Sequence, residues 1–239
     1  MLTKTDIKKL IDGCRETGKH GLGNGSRATI PELTVDFLTP PSDFLGIKSN
    51  PAIFVNHETY HLLGKHHRSW EKNKTIAVKE SVLEKKPILV IGIIVHETGH
   101  AFNVAACITN SEANAYIFEI EVLSFWFKTN SPLLFSCSKI DLQSFFESRL
   151  PFYRSATTHN AYLASLVDDI ETDGIFAPVE EMPSAAESKC DAPSPRFVIP
   201  TPKSADDSPL FFFKRSPSHS ALSEGQSLPQ NLAANSSAG

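Results

Sequence analysis

The stretch that decides the fold is Ile88–Thr109, ILVIGIIVHETGHAFNVAACIT. Eight residues without a polar side chain, Ile88–Val95, run into His96-Glu97-Thr98-Gly99-His100, and AFNVAA carries the apolar character onward. Pro87 stands just before, where a proline suits the first turn of a helix. The run is as long as a membrane span, which needs about 20 apolar residues. Two histidines and a glutamate at its middle argue against that reading, because ionisable groups are costly at a bilayer midplane. No aromatic or basic flanks mark both ends. The expectation is a helix over about 87–106, buried in a protein core.

On a helix, residues i and i+4 lie one turn apart on the same face. His96 and His100 can therefore both reach one metal ion at about 2.0–2.1 Å. Glu97 turns away from the metal but can reach a water in its open position and act as general base. The same five-residue pattern stands earlier, as HETYH at His57–His61. Its setting differs. Asn56 is a natural N-cap and Gly64 a natural stop, leaving about two turns, and the polar run KHHRSWEKNK follows. A metal site needs rigid, partly dry support. The expected site is therefore His96 and His100 with Glu97, and His57, His61, His66 and His67 are read as surface histidines. Gly99, beside His100, is expected to keep bulk out of the cleft.

Two histidines need a third protein ligand. Asn103 and Ala106 occupy the places where a longer H-E-x-x-H-x-x-G-x-x-H motif has its glycine and third histidine. A second helix is expected over about 111–128, capped near Thr109-Asn110-Ser111, and it offers Glu112, Glu119 and Glu121. Glu112 and Glu119, seven residues apart, share a face, and Glu121 points elsewhere. If the two helices form a tight hairpin turning near 107–110, Glu119 is level with the metal, with eighteen residues between it and His100. Glu112 instead opens E-x-x-A at the helix start. Both stand as candidates, with Asp168 or Asp169 as more distant ones.

VHETGHAF followed by SEANAYIFE resembles the zincin metalloproteases in their glutamate-ligand branch, the gluzincins, over about residues 87–128. The resemblance implies a zincin-like α+β fold, mostly helical, with a small sheet and an active-site helix. It also implies one Zn²⁺, a protein substrate, and peptide hydrolysis by a zinc-bound water that Glu97 activates. In several such families the ligand glutamate begins E-x-x-A-D; here Tyr116 replaces the acid. Aminopeptidase-like members use the eighteen-residue gap, which fits Glu119, although Leu123 follows where an acid is expected. Zincins also supply a donor to the oxyanion, for which Tyr116, Tyr153, His159 and Tyr162 are candidates. KTIAVKE, Lys74–Glu80, precedes the active helix as the substrate-binding edge strand of zincins does.

The rest of the chain bounds the function. A formal charge of −4 over 239 residues gives no electrostatic footprint for nucleic acid or anionic lipid. Four widely spaced cysteines, with no C-x-x-C pair, read as free thiols in a reducing, cytosolic compartment. MLTKTDIKKLIDG lacks the apolar core of a signal peptide and reads as a helix over residues 3–19. LTVDFL, AIFVN and KTIAVKE read as strands, and KIDLQSFFESRL and HNAYLASLVDDIETDG as further helices. Residues 1–177 thus form the expected metalloprotease domain. Residues 178–239, rich in Pro, Ser, Ala and Asn, form an expected disordered tail carrying two apolar islands, RFVIP and LFFFKR. Those islands suit either weak packing on the domain or a docking motif for a partner or an export element. A small domain with such a tail and no signal peptide resembles bacterial effector proteases that enter host cells and cut a host protein, such as a cytoskeletal one. The alternative is a regulatory or interaction protein on a zincin scaffold.

Overall fold

Six α-helices and three β-strands lie among the described residues, 1–177, of the computed structural model. The expected tail, with RFVIP and LFFFKR, lies outside them. In chain order the elements are α1 (Lys4–His20), β1 (Thr34–Leu38), β2 (Ala52–Phe54), α2 (His57–Leu63) and β3 (Thr75–Lys79). There follow α3 (Pro87–Ala105), α4 (Glu112–Lys128), α5 (Lys139–Ala156) and α6 (Ala161–Glu171). The architecture is mostly helical, with one small sheet and the HETGH motif on α3.

Capping residues explain where the helices begin. Thr3 and Asp6 form a reciprocal capping box at α1, as Ser138 and Asp141 do at α5. Ser111 caps α4 and Asn160 caps α6. Asn56 caps α2 as its sequence suggests. Gly64, however, keeps right-handed helical angles (φ −60°) and leads into a 3-10 turn over Gly64–His66 rather than ending the helix in a left-handed residue.

The strand order is β1-β3-β2, with β1 parallel and β2 antiparallel to β3. This corrects the reading of KTIAVKE as a substrate-binding edge. β3 is hydrogen-bonded on both sides and cannot accept another strand; the edges are β1 and β2. Its interior is buried throughout, Thr75 included, because Ile76, Ala77 and Val78 face neighbours on both sides of the sheet. Strand β2 is the edge that packs against α3.

Helix α3 lies in the middle, against α1, α4, α5 and β2. By length and composition it could cross a membrane, but most of it is buried inside the domain. Each buried Val, Ile or Phe side chain there contributes about 1.5–3 kcal/mol. Close approach of α5 depends on Gly92: a Cβ built there would lie 2.1 Å from Phe145 Cζ. Phe145 is itself buried and has little room to swing away. Gly92→Ala is expected to destabilise the domain by about 1–3 kcal/mol through overpacking, despite a helix-propensity gain of about 1 kcal/mol. Urea unfolding of the two proteins measures the difference.

Helix α5 exceeds its sequence expectation. The pattern KIDLQSFFESRL suggests an end at Leu150, but the helix passes through Pro151 to Ala156. Pro151 removes one backbone N–H from the helix. Burial of Tyr153 on the turn beyond it favours the continuation.

Candidate metal centre

Helices α3 and α4 run antiparallel, as their contacts show: His100 meets Asn110 and Glu112, Gly99 meets Ala115 and Phe118, and His96 meets Tyr116 and Glu119. Gly99 sets this approach. A Cβ there would lie 3.1 Å from both the Ala115 carbonyl oxygen and Phe118 Cβ. The glycine therefore makes room for α4, which corrects the expectation that it clears the cleft.

His96, His100 and Glu112 offer three donor atoms within 4.8 Å of one another. His96 Nε2 is 3.2 Å from Glu112 Oε2, and His100 Nε2 is 3.5 Å from Glu112 Oε1. Two tetrahedral ligands, each 2.0–2.1 Å from zinc, are separated by about 3.3 Å. The spacing of the donors thus suits one such ion. The opposite ring nitrogens face acceptors. His100 Nδ1 is 2.8 Å from Asn110 Oδ1. His96 Nδ1 is 2.8 Å from Glu119 Oε2, although that contact is too bent to be a well-formed hydrogen bond. Such partners for the outer nitrogen orient a metal-binding imidazole. The residues present fit zinc.

The cluster matches a gluzincin-like zinc-binding site. No family model, no curated protein and no solved structure matches the chain, so this assignment rests on the donor set itself.

The other sequence candidates fall into place around it. Glu119 lies outside the three-donor cluster. Its Oε1 accepts from Arg149 Nε (3.1 Å) and Tyr153 Oη (2.6 Å), and its Oε2 accepts from Arg149 Nη2 (2.9 Å). Three hydrogen bonds from α5 thus hold this carboxylate, and His96 Nδ1 lies alongside it. Glu121 instead ties down the loop after α1, accepting from the Gly23 N–H and from Tyr162 Oη, each at 2.6 Å. Asp168 and Asp169 are exposed on α6. Glu97 is buried, and its Oε2 accepts from the Phe54 N–H at 2.6 Å.

Of the oxyanion candidates, Tyr116 lies at the cluster, its ring 5.1 Å from that of His96. Tyr153 is committed to Glu119, Tyr162 to Glu121, and His159 is exposed. His57, His61 and His66 are exposed on or after α2, while His67 is half-buried and stacks on Trp70 with ring centroids 4.1 Å apart. Among the described residues no three-ligand cluster includes any of these four. Three groups escaped the sequence reading. Asn110 was legible only as part of a cap, and Arg149 and the Phe54 N–H carry no motif.

Burial opposes a charged His96, but Glu112 and Glu119 outweigh it and hold its pKa up to about 10. Burial likewise opposes a charged Glu112, yet His100 and His96 hold it far below the usual carboxylate range. A metal ion and a proton therefore compete for His96 Nε2 at neutral pH. Zinc binding at pH 7 is expected to release about one proton, and to tighten as pH rises toward that pKa. Calorimetry in buffers of different ionisation enthalpy measures the proton count.

Proposed function

We propose that the protein is a zinc-dependent endopeptidase that hydrolyses peptide bonds of a protein substrate. The observation that carries this reading is the convergence of His96, His100 and Glu112 on one point, with the neighbouring Glu97 anchored by the edge strand. Zinc held there would polarise the substrate carbonyl and lower the pKa of a water toward about 7.

The chain's own groups supply the remaining steps. The Phe54 N–H fixes Glu97 Oε2 and so orients the carboxylate. Oε1 is then the atom that takes the proton from the attacking water and delivers it to the leaving nitrogen. Burial, together with the charge of Glu112, pushes the Tyr116 hydroxyl pKa up. Tyr116 therefore keeps its proton and can donate to the developing oxyanion.

Among the described residues Cys14, Cys107 and Cys137 form no disulfide, in keeping with a reducing site of action. The test is a comparison of newly formed protein N-termini in cells producing the wild-type chain or Glu97→Gln. Termini that appear with both, or with neither, would overturn the proposal.

A further inference from the structure

We infer that Glu119 is a positioning residue of the metal centre, locked from α5 by Arg149 and Tyr153, so that α5 controls how tightly the centre holds its ion. This rests on the metal-site reading above and deepens it. Glu119 lies two helical turns after Glu112 on the same face of α4, so one helix presents a carboxylate to each side of the His96 ring. Glu112 meets Nε2 and Glu119 meets Nδ1. An acceptor held at Nδ1 favours the tautomer with its proton there, which leaves the Nε2 lone pair pointing at the site.

Glu119 can do this because it cannot move. It is fully buried, and the forked guanidinium of Arg149 grips both of its oxygens while Tyr153 grips one. Arg149 also balances the buried charge. The guanidinium is itself held among rings, with its carbon 5.3 Å from the Tyr116 centroid and 5.8 Å from that of Tyr153. Tyr116 in turn packs on His96. Two residues of α5 thus reach a metal ligand through one carboxylate.

The experiment measures zinc affinity by competition with a chelator, alongside thermal unfolding, for the wild type, Glu119→Gln, Tyr153→Phe and the double variant Glu119→Gln/Arg149→Met. The double variant removes both buried charges together and keeps the comparison meaningful if Glu119→Gln fails to fold. A weakening of about 10–100-fold at unchanged stoichiometry is expected for Glu119→Gln and for the double variant, and a smaller one for Tyr153→Phe. Nitrogen-15 spectra of the zinc-loaded wild type should place the His96 proton on Nδ1. Unchanged affinity in folded variants would overturn the inference, as would a proton on Nε2. Complete loss of zinc from folded Glu119→Gln, as severe as in His96→Ala, would make Glu119 a ligand and also overturn it. A wild-type chain that binds no zinc would instead overturn the metal-site reading itself.

Discussion

Glu97→Gln is expected to lower kcat by about 10²–10⁴-fold while zinc content and thermal stability stay at wild-type values. The separation of effects follows from geometry. Glu97 is not among the three donors that converge on the metal position, so its loss leaves them in place. The amide of glutamine has nearly the same shape and can still accept from the Phe54 N–H through its own oxygen, so the link between α3 and β2 persists. What disappears is basicity, because an amide cannot take the proton of the attacking water. Turnover of a cleaved peptide, zinc analysis and an unfolding curve on one preparation check the three parts. Full activity with zinc bound would refute the assignment of Glu97 as base.

His96→Ala is expected to abolish stoichiometric zinc, whereas His57→Ala should retain one zinc per chain. The two substitutions are the same change in the same five-residue pattern, so the contrast tests context alone. At His96 the alanine removes one of three converging donors and leaves Glu112 with a single histidine. At His57 it removes an exposed ring from the first turn of a seven-residue helix. Metal analysis after gel filtration reads both outcomes. Equal loss in the two variants would mean that the HETYH copy also takes part in binding.

Much of this was legible because the signal was local. The unbroken apolar run before His96 demands a buried helix, and the i,i+4 spacing then puts both imidazoles on one face. Serine, threonine and asparagine caps mark where most helices begin. Which of Glu112 and Glu119 joins the two histidines in the donor cluster was left open, because it depends on the register of α4 against α3. That register is set by how closely Gly99 lets Ala115 approach, a distance that no spacing rule contains. Glu119 shows the limit well. The hairpin argument brings it level with His96, yet it meets the outer nitrogen of the ring rather than the metal side. The place of β3 was missed for a related reason. Its edge position followed from the zincin resemblance, and alternation suggests only a strand with one free face, whereas Thr75 is buried and its hydroxyl meets that of Thr34, 41 residues away in sequence.

The passage of α5 through Pro151 has a consequence for how far the domain can be shortened. A chain stopped at Leu150, the boundary its hydrophobic pattern suggests, would keep HETGH, Glu112, Glu119 and even Arg149. It would lack Tyr153 and the hydroxyl that pins Glu119. The smallest fragment with a complete centre therefore extends at least fifty-three residues past the last histidine of its motif. A deletion series walking inward from the C-terminus should show its sharpest change on crossing that tyrosine.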